Sequence, residues 1–199
     1  MTPSEEKKIK QLLEFYAEYG FDHSVEKIAE YLSVTPKTLY NRYQTKDKME
    51  LSAMLFWQKH FRQLLEEKCN HTNNSIEALL LIAYHIKELP EQNPHIFTRK
   101  MQDLLGPNYF GNEEMRLLVF KIIEAGKHEK SIRPELNQHA FEPYYVFGAY
   151  CFSYKRHLSS EFVEYALAPI LTDKGRKMLA AIDINSYLFN HVQFPIVER

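Results

Sequence analysis

Apolar residues recur at helical spacing along almost the whole chain, and the earliest such stretches are short and closely joined. Ile9, Leu12, Leu13 and Tyr16 fall at i, i+3, i+4 and i+7, one stripe of an amphipathic helix. Thr2 as N-cap, Pro3 in the first turn and Glu5 closing a capping box predict its start, and Gly20 its stop. The stripe recurs at Val25, Ile28, Ala29 and Leu32, with Ser24 as the predicted N-cap. Thr35-Pro36 follows almost at once and opens a short helix to about Arg42. Two helices joined so tightly, with a third in front, form a helix-turn-helix arrangement.

The remaining pattern predicts an all-α chain. Thr45 caps a long fourth helix whose apolar face is Met54, Trp57, Phe61, Leu64 and Leu65. A polar loop follows near Asn70–Asn74. Asn74-Ser75-Ile76-Glu77 is a second capping box, for a helix to about Leu89 that Pro90 and Pro94 break. Further helices are expected over Ile96–Leu105, Glu113–Lys127, Glu135 to about Leu158, Phe162–Leu171 and Lys174–Ile182. No stretch alternates with period two between hairpin turns. The tail, Asn185–Arg199, fits no single pattern.

Composition removes several function classes. At 199 residues and 45% apolar, the chain can bury one large core or two small ones. Lys+Arg total 25 against 26 Asp+Glu, a formal charge of −1, which excludes a uniformly polybasic protein but not a local basic patch. Six glycines argue against a Gly-rich phosphate cradle or a turn-dense all-β fold. Two cysteines, Cys69 and Cys151, cannot staple a scaffold and suit a reducing compartment. Charges at Glu5, Glu6, Lys7, Lys8 and Lys10 interrupt any signal-peptide core. The longest nearly apolar run, Tyr144–Phe152, is well short of the ~18 residues of a membrane span. The expectation is a soluble, cytoplasmic protein with no membrane partner.

Chemistry concentrates on the third helix. Val34 and Leu39 face the core, leaving Pro36, Lys37, Thr38, Tyr40, Asn41 and Arg42 outside. Lys37, Arg42, Lys46 and Lys48 stand against Asp47 alone between Thr35 and Lys48, a local net charge of +3. Hydrogen-bonding groups, a methyl-bearing Thr and cations on one short helix suit major-groove reading. No dinucleotide, P-loop, nucleophile-elbow or zinc-protease motif is present, and the nine His are scattered. No enzyme activity, cofactor or metal is expected.

Gly20-Phe21, Ser24-Val25-Glu26-Lys27-Ile28-Ala29, Val34-Thr35-Pro36-Lys37-Thr38-Leu39-Tyr40, Tyr43 and Thr45-Lys46-Asp47-Lys48-Met49 resemble the N-terminal domain of the tetracycline-repressor (TetR) family of transcription regulators. The resemblance covers roughly residues 5–55. It implies that Thr35, Lys37, Thr38 and Asn41 approach bases or nearby phosphates, and that Tyr40 and Tyr43 meet the backbone. It also implies that Lys46 holds a phosphate at the start of the fourth helix. Core packing is the alternative for Tyr43. Ser33 stands where the family commonly has Gly. If Ser33 must be left-handed, the cost is on the order of 1 kcal/mol. The loop from Gly20 to Val25 is one residue shorter than usual. Ala125-Gly126 through Leu136 resembles the turn before the penultimate helix, with Lys130-Ser131 where a second Gly is common.

The implied division is a helix-turn-helix DNA-binding domain over 1–49 and a helical effector-binding and dimerisation domain over 50–199, joined by the long fourth helix. Phe141–Tyr154 holds seven aromatics, so this helix is buried on most sides, either in its own core or against a second copy. Two-fold pairing fits a half-site reader and an inverted-repeat operator on double-stranded DNA. Trp57, Phe61, Tyr84, His85, Phe97, Met101, Met115, Phe120, Phe141 and Tyr145 are candidates for a pocket binding a small hydrophobic or aromatic effector, or else belong to the core. Repression is the family-level expectation. The competing readings are a helical interaction module without DNA and a dimeric regulator without a small-molecule ligand.

Overall fold

The second, third and fourth helices each begin where a side chain satisfies free N–H groups. The computed structural model describes residues 3–96, 99–106, 113–137 and 165–183. Helix α1 spans Pro3–Tyr19, α2 Val25–Tyr31, α3 Pro36–Tyr43 and α4 Lys46–Cys69. Ser24 Oγ accepts from Lys27 N at 3.4 Å and Thr35 Oγ1 from Thr38 N at 3.2 Å. Thr45 Oγ1 accepts from Lys48 N at 3.2 Å. Such a cap contributes about 1 kcal/mol. The expected cap at Thr2 lies outside the described residues. Gly20 ends α1 at φ +77, its N–H bonded to Tyr16 O at 2.9 Å.

The helices continue with α5 (Ser75–Gln92), α6 (Arg99–Leu105) and α7 (Glu113–His128). A 3-10 turn over Ala168–Ile170 precedes α8 (Asp173–Ala180). The described residues are helices and turns with a single isolated β-bridge, Ile132 to Leu171. They form two compact units, one within residues 1–61 and 89–109, the other within 62–88 and 110–193. The α4 helix contributes to both.

The first unit is built around the stripe that the sequence shows. Leu12, Leu13, Phe15 and Tyr16 of α1, Val25, Ile28 and Ala29 of α2, and Leu39 of α3 are buried. Phe21, Met49, Met54, Trp57, Ile96 and Met101 are buried in the same unit. A fully buried side chain of this size contributes roughly 1.5–3 kcal/mol by leaving water. The second unit buries Leu65 of α4, Ile76, Leu79 and Leu80 of α5, Met115, Leu118 and Ile123 of α7, and Ile132, Leu171 and Leu179.

The joint between α2 and α3 carries backbone strain. Ser33 sits at φ +53, and Val34 N reaches back to Ala29 O at 2.9 Å. The turn therefore does demand the left-handed conformation that Gly adopts freely. Ser33→Gly is expected to raise stability by about 0.5–1 kcal/mol, the relieved strain outweighing the added chain entropy. Urea unfolding monitored by circular dichroism checks this; an unchanged or lower midpoint contradicts it.

Several expectations need correction. Leu64 is 37% exposed, because it lies at the edge of the α4 stripe while Met54, Trp57, Phe61 and Leu65 hold its centre. Pro90 does not break α5, which runs on to Gln92. A proline in a last turn removes a single ladder bond, so the helix ends after it. Ile96 is buried, yet it lies in a turn, and α6 begins at Arg99. Glu135 does not start a helix: Leu136 N bonds Arg133 O at 3.3 Å in a turn, and residues 138–164 lie outside the described set. The expected Phe162–Leu171 helix is present over residues 165–167 and ends early, in the 3-10 turn at Ala168–Ile170 and the bridge at Leu171; residues 162–164 lie outside the described set. The tail 185–199 also lies outside the described residues.

Candidate nucleic-acid interface

The α3 helix presents its polar face outward because Leu39 is its one fully buried side chain. Thr35, Lys37, Thr38, Tyr40, Asn41 and Arg42 are exposed, and Pro36 and Tyr43 are half-buried. Thr35 does two things. Its hydroxyl caps the helix at Thr38 N and lies 2.9 Å from the Thr38 hydroxyl, which fixes that rotamer. Lys37, Tyr40 and Asn41 make no side-chain hydrogen bond or ion pair among the described residues. The middle of the outward face is therefore open for a ligand.

The C-terminal end of this face is occupied. Arg42 pairs with Glu5 of α1 at 3.7 Å and lies over the Tyr43 ring at 5.4 Å. Burial pushes the Tyr43 phenol up, Arg42 opposes that shift and Glu5 adds to it. Tyr43 stays protonated, able to donate a hydrogen bond from a half-buried position. Gln44 stands at φ +68 and closes α3 through Gln44 N to Tyr40 O at 2.8 Å. Lys48 Nζ donates to Gln44 Oε1 at 2.6 Å.

Lys46 has an inward engagement that sequence reasoning missed. Its Nζ donates to Phe21 O at 2.8 Å and lies 3.4 Å from Glu50 Oε1. The spacing of Lys46 and Glu50, four apart on one helix, was the readable signal. Nothing local signals that Lys100 Nζ lies 2.8 Å from Glu50 Oε2. Burial and the Glu50 charge together hold the Tyr16 phenol well above its ordinary value.

The effector candidates divide between the two units. Trp57, Phe61 and Met101 are buried in the first, with the Trp57 and Phe61 rings stacked at 5.4 Å. Tyr84, His85, Met115 and Phe120 belong to the second; His85 and Met115 are buried, Tyr84 and Phe120 half-buried. Phe97, Phe141 and Tyr145 lie outside the described residues. Burial pushes the Cys69 thiol up to about 12, assisted by Glu66, so it is no nucleophile near neutral pH. Among the described residues no group of three or more His, Cys, Asp or Glu is placed to hold a metal ion. No helix among them is long and apolar enough to cross a membrane.

No family model and no curated protein matches the sequence. Solved structures do match over nearly the whole chain. A gamma-butyrolactone receptor (ArpA-like protein) aligns with a TM-score of 0.60 at 13% identity, covering 95% of this chain and 98% of the other. A structure on the molecular basis for control of antibiotic production by bacterial hormones aligns at 0.54 and 13%, covering 96% and 98%. The ketosteroid transcriptional regulator KstR2 of Mycobacterium tuberculosis aligns at 0.50 and 16%, covering 87% and 98%.

The chain has the tetracycline-repressor fold. Within that fold, α2 and α3 are the helix-turn-helix, and α3 occupies the position of its second helix.

Proposed function

We propose that this chain is a sequence-specific DNA-binding transcriptional regulator, a repressor released by a small hydrophobic or aromatic effector. Residues 1–49 act as the reader and residues 50–199 as the effector-binding and dimerisation domain. The observation that carries the reading is the open face of Lys37, Tyr40 and Asn41 on a helix whose start is fixed by Thr35. Thr35, Lys37, Thr38 and Asn41 approach bases or nearby phosphates. Tyr40 and Tyr43 meet the backbone, Pro36 and Arg42 flank the face, and Lys46 holds a phosphate. A homodimer places two such helices on an inverted repeat. The effector candidates are Trp57, Phe61, Tyr84, His85, Phe97, Met101, Met115, Phe120, Phe141 and Tyr145. Structures of a gamma-butyrolactone receptor and a ketosteroid regulator share the fold, which supports a small, largely apolar effector.

Selection of bound duplexes from random DNA tests the reading. The expected product is an inverted repeat with half-site centres about 34–36 Å apart, or a multiple of that. Recovery of no enriched sequence overturns it.

Control follows from linkage. If an effector weakens operator binding by some factor, operator must weaken effector binding by the same factor. Calorimetric titration of a bound effector, with and without operator, is expected to show this reciprocity. Equal effector affinity in both titrations removes the release mechanism while leaving DNA binding standing.

A further inference from the structure

Glu50 is a carboxylate with no exposure to water, set one turn into α4. A buried charge is tolerated only when it is paired and hydrogen-bonded. Two ammonium groups share it. Lys46 Nζ lies 3.4 Å from Oε1, and Lys100 Nζ of α6 lies 2.8 Å from Oε2. Lys100 also lies 3.9 Å from Asp47 Oδ1. Lys46 has a second anchor, the Phe21 carbonyl at 2.8 Å in the loop between α1 and α2. A lysine has three N–H donors. Phe21 takes one, the 3.4 Å approach to Glu50 is an ion pair rather than a hydrogen bond, and 30% of the Lys46 side chain is exposed.

We propose that Glu50 and Lys100 are positioning residues that set how much of the Lys46 charge reaches a DNA phosphate. The two lysines compete for one buried carboxylate. Lys100 makes the shorter contact, so Lys46 is left with charge to spare at the helix start, beside the reader. Removing the Lys100 ammonium makes Lys46 the main counter-ion of Glu50 and draws it inward. Removing the Glu50 charge releases Lys46, which keeps the Phe21 carbonyl as its tether. DNA affinity thus depends on the placement of α6, whose lysine need not touch DNA. The proposal rests on the DNA-binding reading above and adds Lys100, fifty positions from Glu50 in the sequence.

The test is the salt dependence of binding to a mixed-sequence DNA duplex, using the full chain. For Lys100→Met the slope of log affinity against log salt is expected to flatten by about 0.9 per protomer, one phosphate contact. Affinity should fall ~3–10-fold for all sequences alike, as loss of one phosphate contact implies. Glu50→Gln should keep the wild-type slope, and Glu50→Gln with Lys100→Met should restore it. Adding Lys100→Met to Lys46→Met should change the slope no further. Lys100→Gln gives the same readout if the Met variant folds poorly, as checked by thermal melting. A wild-type slope in Lys100→Met, or no restoration in the double variant, overturns the proposal alone. Failure of the wild-type chain to bind DNA in a salt-dependent way overturns the functional reading and the proposal with it.

Discussion

Gly175→Ala is expected to destabilise the fold by about 3 kcal/mol, the reverse of the ~1 kcal/mol gain that Gly to Ala gives in an ordinary helix interior. Gly175 lies in the first turn of α8, where a Cβ would run into the Ser131 carbonyl. That carbonyl cannot retreat. Thr172 N donates to it at 3.0 Å, and Thr172 Oγ1 lies 2.7 Å from Lys130 O and 3.1 Å from Ser131 O. Ser131 is fixed from the other side, its hydroxyl 3.1 Å from both Ser75 Oγ and Gly126 O. The clash therefore meets backbone rather than a flexible side-chain end, and α8 must be pushed off the 129–131 segment. For a chain of this size the melting temperature should drop by about 6–12 °C. Thermal unfolding followed by circular dichroism decides it, with Lys177→Ala on the exposed side of α8 as the control. A Gly175→Ala midpoint close to wild type means that the close approach is not real. Gly126→Ala should also cost stability, because its Cβ meets Ile132 Cδ1 at 2.5 Å, Ile132 Cγ1 at 2.7 Å and Ser75 Oγ at 2.7 Å, on two side chains that are themselves buried.

That contact also shows which part of the fold is legible in one dimension. Caps are local events, so Ser24, Thr35, Thr45 and Asn74 could be read from residue type and spacing, and each caps its helix. The Ser33 strain was legible as an anomaly, a non-Gly residue in a two-helix turn, and it stands at positive φ. Lys130, in the stretch where a second Gly was missing, is likewise at φ +62. Long-range polar contacts carry no such signature. Ser75 Oγ donates to Glu129 Oε2 at 2.7 Å across 54 positions, so Glu129 helps to cap α5 from α7's end. Neither residue stands out alone, and the same holds for Glu50 with Lys100. Pro90 stands in the last turn of α5, where the breaking rule for helix interiors does not hold. The outward face of α3 was readable by subtraction, once Leu39 was taken as its inward residue. The partners of the flanking cations, Glu5 for Arg42 near the end of α3 and the Phe21 carbonyl for Lys46 at the start of α4, required the third dimension.

That difference between the open middle and the occupied C-terminal end of α3 leads to the sharpest expectation about DNA. Lys37→Ala should leave stability within about 0.5 kcal/mol, since an exposed surface substitution that breaks no contact does no more. Its affinity for the preferred duplex should nevertheless fall by about 1–3 kcal/mol, ~5–150-fold, with specificity relaxed at the contacted base pair. Thr35→Ala should behave differently. It removes the hydroxyl that accepts from Thr38 N at 3.2 Å and orients the Thr38 hydroxyl at 2.9 Å. It should lower stability by about 1 kcal/mol through the lost cap, and also weaken binding through a disordered Thr38 rotamer. Thr35→Ser keeps the oxygen and should recover most of both. Parallel urea unfolding and fluorescence-anisotropy titrations on all three variants separate reader from scaffold. If Lys37→Ala loses stability and affinity together, or if it weakens every duplex equally, Lys37 does not read bases and the open face is only a solvated helix surface.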